Sequence, residues 1–244
     1  MKSLFRAASM TALLLITDCA LVSKRPPYPD PDRLVSVVKV APAGEEPILG
    51  RDFLALQSES KTLERIAAYE FQGLSLTGGG MSERIHSARV SAGFFPALGV
   101  NPALGRAFVS EECQPGNNTV VIISHDLWQR RFGADPSLIG RTITLDHEKY
   151  TVIGVMPKEF RFPNDRDVWA PLAFDAEGLG PGGESMRLEV IARLKPNVTL
   201  QQAQEDVNAV ARKLEGYYPM TNIGRDIKVI LLQERLDQQR KKRD

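Results

Sequence analysis

The residues of this chain whose types could support chemistry are three histidines, His86, His125 and His147, two cysteines, Cys19 and Cys113, and a run of glycines at Gly78-Gly79-Gly80. Asp146-His147-Glu148 is the densest grouping, with two carboxylates around an imidazole, the donor types of a metal site or a general acid–base pair. Successive residues of a strand or tight turn point in different directions, and no His-Glu-x-x-His spacing exists, so the tripeptide reads as the solvated tip of a hairpin. His125, followed by Asp126, sits at the start of a helical stretch, where capping or surface packing accounts for both. Thr77-Gly78-Gly79-Gly80 invites a phosphate-cradle reading, but no Lys-Ser/Thr pair follows it and no helix begins there, so it reads as a hairpin turn. No Gly-x-x-x-x-Gly-Lys-Ser/Thr loop and no Gly-x-Ser-x-Gly elbow occur, so neither ATP hydrolysis nor a serine nucleophile is expected. Cys113, beside Glu111 and Glu112, should be a poor thiolate, because neighbouring negative charge disfavours its ionisation. The cysteines lack the paired spacing of a zinc site and imply no disulfide framework. The expected tally is no catalytic, cofactor-binding or metal-binding residue.

Lys and Arg number 31 against 30 for Asp and Glu, a net charge of +1 that supplies no field to gather nucleic acid. Asn117-Asn118-Thr119 and Asn197-Val198-Thr199 match glycosylation sequons, a pattern short enough to arise often by chance. Trp128 and Trp169, with Phe94, Phe95, Phe132, Phe160 and Phe162, read as core anchors rather than ligand stackers.

The elements that hold these residues follow from hydrophobic spacing. Residues 26–33, rich in proline, form an extended connector into a strand over Leu34 to Val40. Phe53, Leu56, Leu63, Ile66 and Ala67 recur at helical spacing, as one helix or as two broken at the polar Gln57 to Lys61. Tyr69 to Leu76 and Glu83 to Ser91 read as strands, Phe94 to Gly99 as a turn of helix and Val120 to Ile123 as a strand buried on both faces. Ser124 caps a helix from His125 to Phe132 that Gly133 ends, and Arg141 to Leu145 with Tyr150 to Met156 make a hairpin. The glycines of residues 175–183 mark a linker. Beyond it come a strand from Leu188 to Leu194, a helix opened by the Thr199/Gln202 capping box and ended by Gly216, a strand from Asp226 to Leu232, and a charged tail from Gln233. Arg240 to Arg243 reads as a solvated end of that tail, with contact to anionic lipid as the alternative, worth about 1 kcal/mol per basic residue. Strand-helix-strand units at both ends of the chain pair into one α+β subdomain, with residues near 100 to 180 inserted as a second lobe.

Ala7 to Val22 is an apolar run flanked by Lys2, Arg6, Lys24 and Arg25, a membrane-directing segment. A full crossing needs roughly 20 apolar residues, and this run is shorter and contains Asp18, so a spanning helix and a secretory signal both stay open.

Several ordered blocks resemble the MacB-like periplasmic core domain of bacterial ABC transporter permeases and the related FtsX-like permeases. The carriers are Pro27 to Leu34, Val90 to Val100, Leu104-Gly105-Arg106, Val121 to Ser124 with Leu127 to Gly133, Ile139 to Ile143, and Tyr150 to Pro157. The resemblance implies an α+β fold: a porter-like subdomain of split βαβ units from both chain ends (25–100 and 181–236) with an inserted mixed α/β lobe (101–180). These follow a membrane segment (1–24) and precede a charged tail (237–244). It further implies a non-enzymatic domain in the periplasm, anchored in the inner membrane, that relays ATP-driven motion for export or release of substrate. Its implied partners are permease membrane helices and an ABC ATPase, on separate chains or in parts of the protein missing from this sequence, and a periplasmic protein. The chain stops about where the family places its second transmembrane helix, so a truncated product, one piece of a split permease and a remnant all stay open. The alternative is a secreted or periplasmic module that binds a small ligand. A cleft lined by convergent polar groups would favour that module, and a smooth partner-sized surface the permease domain.

Overall fold

The computed structural model describes residues 28–77, 82–173 and 186–241. Its first unit runs through β1 (Leu34–Ala41), the short strands β2 (Gly44–Glu46) and β3 (Ile48–Leu49), the helix α1 (Gly50–Glu59) and the long β4 (Leu63–Thr77). Then come β5 (Glu83–Val90), α2 (Phe94–Leu98), β6 (Leu104–Gly105), β7 (Val120–Ile123), α3 (His125–Phe132), β8 (Thr142–Leu145), β9 (Glu148–Val155) and β10 (Val168–Pro171). The last unit is β11 (Arg187–Leu194), α4 (Leu200–Tyr217), α5 (Pro219–Asn222), β12 (Asp226–Leu231) and α6 (Leu232–Lys241).

The sheet order is β12-β1-β11-β4-β5-β10-β7-β9-β6. β1 lies antiparallel between β12 and β11, and β11 antiparallel between β1 and β4, so each β-α-β unit holds a strand of the other in its middle. Neither unit can close alone. The α+β architecture expected from the sequence is therefore what the chain adopts.

The two middle strands are covered on both sides, which is why β1 reads as an almost unbroken apolar run. Val35, Val37, Val190 and Ala192 face Phe53 and Leu56 of α1 and Val207 and Val210 of α4. Leu34 and Ile191 face the other way, into an aromatic layer of Tyr28, Tyr69, Phe94, Phe95, Phe160, Phe162 and Trp169. Its rings meet mostly edge-on, Tyr69 to Phe162 at 5.5 Å and Tyr28 to Phe162 at 6.3 Å, with Phe94 stacked on Phe162 at 5.7 Å. A third cluster joins Leu74, Leu76 and Ile85, on the outer halves of β4 and β5, to Val121, Ile123, Leu127, Leu145 and Val152. β4 and β5 thus run continuously from the interlocked strands into the second core.

Local chemistry ends the elements where sequence reading places them in several cases. Ser124 accepts from the Leu127 N–H at 3.0 Å, and Gly133, at φ 60°, closes α3. Thr199 and Gln202 make the capping box of α4. Asp146 and His147 both take positive φ, 44° and 71°, as a two-residue hairpin turn requires.

Three expectations are corrected. Leu63, Ile66 and Ala67 open β4 instead of continuing a helix. The Asp206 carboxylate accepts from the Ser60 hydroxyl (2.7 Å), the Lys61 N–H (2.8 Å), the Thr62 N–H (3.0 Å) and the Thr62 hydroxyl (2.8 Å), which ends α1 and turns the chain into the sheet. A strand buried on both faces shows no alternation, so its apolar residues mimic helical spacing. Gly216 does not end α4. It is helical, and the helix stops at Tyr217 because Pro219 drives Tyr218 out of the α region, to φ −133°. The charged segment from Gln233 is helical through Lys241, since Leu232 and Leu236 pack on the aromatic layer and Arg235 is buried beneath α6. The membrane segment, the glycine turn at 78–80, the linker at 175–183 and the last three residues lie outside the described residues.

Burial raises the pKa of Asp206, but its bonds to Ser60, Thr62 and two backbone N–H groups outweigh burial and hold it below the ordinary carboxylate range. Asp206→Ala is expected to lower stability by about 1–2 kcal/mol at neutral pH, measured by urea unfolding. A depressed folded-state pKa stabilises above the unfolded value and loses that contribution as pH falls through the folded one. The advantage of the native chain over Asp206→Asn should therefore narrow below about pH 4.

Candidate functional site

The sequence-level candidates for chemistry do not converge. His147 occupies the β8–β9 tip, whose Asp146 exchanges two bonds with the Ser75 backbone, donating its N–H at 3.0 Å and accepting at Oδ1 at 2.8 Å. His125 stands at the first position of α3 with its ring 5.6 Å from that of Trp128, and His86 is an exposed residue of β5 whose backbone pairs with Asp167. Among the described residues no group of three or more His, Cys, Asp or Glu side chains could hold a metal ion. Cys113 is a free thiol on a groove of about 400 Å³, shared with Phe53, Gln57, Glu64, Ser91 and Ser110. Burial first, and then the Glu112 carboxylate, push it up to about 11, as its acidic neighbours led us to expect.

The most unusual side chain is Lys39. It shares a strand face with Val35 and Val37 and is 1% exposed, yet carries a charge. Its Nζ donates to Asp52 Oδ2 at 2.7 Å and to Asn222 Oδ1 at 2.7 Å, and Asp52 and Asn222 are themselves buried. Asp52 lies in the first turn of α1, where the helix dipole favours a carboxylate. Next to it, Arg51 stacks on the Tyr218 ring at 4.3 Å and donates to the Thr221 hydroxyl at 2.7 Å. One polar knot thus fastens β1, α1 and α5 together. Sequence reading passed over it, and its only signal is a single charge in an apolar run, in phase with two buried valines.

Beside this knot lie four of the large apolar side chains that water still reaches, Phe71 and Val109 being exposed elsewhere. Tyr217 is 77% exposed, Met220 92% and Ile223 60%, with Tyr218 partly open beside them. Tyrosine and methionine supply wide contact area in protein interfaces. The four lie at the end of α4 and along α5, an arrangement that suits them to contact.

The opposite end of the sheet holds the incoming chain. Val35 pairs with Leu231 there, whereas Val40 pairs with Asp226 at the apolar end. Arg193, 6% exposed, donates from Nε to the Ala97 carbonyl at 2.9 Å and from a terminal nitrogen to the Pro29 carbonyl at 3.0 Å. Arg33 donates twice to the Leu194 carbonyl, at 2.9 and 2.7 Å, and pairs with Glu64 at 2.5 Å. Tyr28 inserts into the aromatic layer. Residues 28–33 are therefore bolted to the ends of β11 and α2, and α6 is bolted on by Arg235, whose guanidinium reaches Glu45 at 2.5 Å and lies 4.0 Å from Glu189.

A family profile described as MacB-like periplasmic core domain matches residues 7–210. The chain belongs to that family. It is accordingly a periplasmic-type domain of the ABC transporter permease family, which is not a known enzyme class. The chain is similar to the periplasmic region of MacB from Actinobacillus actinomycetemcomitans, at 13% identity and TM-score 0.63, covering 86% of this chain and 92% of that one. It is also similar to the extracellular domain of the noncanonic ABC-type transporter YknZ from Gram-positive bacteria, at 14% identity and TM-score 0.59, covering 80% of this chain and 98% of that one. At these identities the two structures speak for the fold, and no curated protein matches the chain. The first of these structures is a periplasmic region and the second an extracellular domain of their own proteins. Among the described residues no helix is long and apolar enough to cross a membrane.

Removing one member of a buried ion pair strands the other's charge, so Lys39→Met and Asp52→Leu should each cost about 3–5 kcal/mol. The double variant should recover most of that loss, read from urea unfolding of all four chains. In a Cys19→Ser background, alkylation of Cys113 at pH 7 should run about a hundredfold slower than that of an exposed thiol, rising about tenfold per pH unit.

Proposed function

We propose that this chain is a non-enzymatic extracytoplasmic domain of an ABC-type permease, anchored to the inner membrane through its N-terminal segment, that relays conformational change for export or release of substrate. The observation that supports it is the division of labour along the sheet. The buried Arg193 and the half-buried Arg33 hold the incoming connector at one end, and an apolar surface faces outward at the other. A displacement of the connector then moves the sheet as one body and carries Tyr217, Met220 and Ile223 with it. The ATPase and the remaining membrane helices are contributed by other chains or by parts of the protein missing from this sequence, and the apolar end meets a periplasmic protein. In this reading the porter-like part comprises 25–100 and 181–236, with 101–180 as the inserted lobe and 237–244 as the tail. The split β-α-β pairing of β1, β4, β11 and β12 supports that division.

The test is a Met220→Cys chain lacking Cys19 and Cys113, expressed in a bacterial host with a permeabilised outer membrane. A maleimide that cannot cross the inner membrane should label Met220→Cys in whole cells, and the labelled chain should resist carbonate extraction. Labelling only after lysis, or recovery as a soluble protein with a shortened N-terminus, would overturn the anchored extracytoplasmic reading.

A further inference from the structure

β12 is the last strand of the sheet, and among the described residues it pairs with β1 alone. An open strand edge offers unpaired N–H and C=O groups to any other chain. Here one side chain answers two of them. The Gln204 amide, reaching down from α4, donates from Nε2 to the Ile227 carbonyl at 2.7 Å, and its Oε1 accepts from the Val229 N–H at 2.9 Å. It presents one donor and one acceptor to alternate residues, as the peptide group of a neighbouring strand would. A second bond from Nε2 to Asn208 Oδ1, at 2.7 Å, holds the amide in that orientation.

The edge beneath Gln204 is self-complementary. Ile227 and Val229 direct their backbone groups outward, so a second β12 lying antiparallel across a two-fold axis would pair Ile227 with Ile227 of the other copy. That register sets Asp226 opposite Lys228, and Lys228 opposite Asp226, on the exposed face of the strand. Opposite charges facing across antiparallel strands stabilise the pairing, and a two-fold axis provides the contact twice. Beside the edge runs a groove of about 460 Å³, bordered by Gln204, Asn208, Arg212 and Glu215 from α4 and by Arg225 and Lys228. We propose that the β12 edge is a pairing surface for a second copy of this chain, and that the Gln204 amide keeps it closed by standing in for the missing strand.

The test is sedimentation of the full chain in mild detergent, where any association through the apolar N-terminal run is common to all variants. The native chain should sediment as one copy and Gln204→Ala as two. Adding Lys228→Asp to Gln204→Ala should return it to one copy, because Asp226 then faces a second carboxylate across the two-fold axis. Adding Asp226→Lys as well should restore the pair. Gln204→Glu keeps the acceptor for the Val229 N–H but cannot donate to Ile227, so it should associate more weakly than Gln204→Ala, and it serves if the alanine variant folds poorly. Hydrogen exchange at Val229 reports opening directly. A single copy of Gln204→Ala with Val229 exchanging freely would overturn the proposal. So would equal association of native and variant chains, or association indifferent to the charge at 228.

Discussion

Everything in this molecule follows from burying β1 and β11 on both faces. Two strands that each lie between strands of the other unit cannot be covered by one layer. α1 and α4 close one side, while α2, α6 and the aromatic layer close the other. The second requirement explains why so short an element as α2 carries Phe94, Phe95, Ala97 and Leu98, all buried, and why Gly99 follows at φ 70°. A side chain there would press on Pro29, the residue Arg193 holds.

The charges inside the fold sit where separate segments must meet at one angle. Lys39 with Asp52 joins a strand to a helix start, Arg193 joins the connector to β11 and α2, and Arg235 joins α6 to β2 and β11. Buried ion pairs add little net stability over apolar packing, because desolvation offsets their attraction, but a misplaced partner is costly. They therefore specify position more than they stabilise. Fixed position is the property that the proposed relay of displacement would need.

Much of this was legible in the residues. Caps at Ser124 and Thr199, the hairpin at Asp146-His147 and the two strand-helix-strand units all leave local signatures, because capping and turn chemistry involve neighbours in sequence. The family blocks from Val90 to Pro157 carried the fold class further than periodicity did. What escaped depends on partners far along the chain. The strand start at Leu63 is dictated by Asp206, the helicity of Leu232 to Lys241 by a sheet surface assembled from both ends, and the role of Lys39 by Asp52 and Asn222. Nothing near Gln204 in sequence announces that its amide completes a strand edge.

The central claim is that the connector and the interlocked sheet move as one body. Hydrogen exchange of the full chain, followed amide by amide, tests it most directly. Where their hydrogen bonds are made, amides of residues 28–33 should exchange together with those of β1 and β11, in the same cooperative opening, and Arg193→Gln should release the connector first. If the native connector exchanges freely while β1 and β11 stay protected, it is a loose tether, and motion at the membrane could not be passed to the sheet.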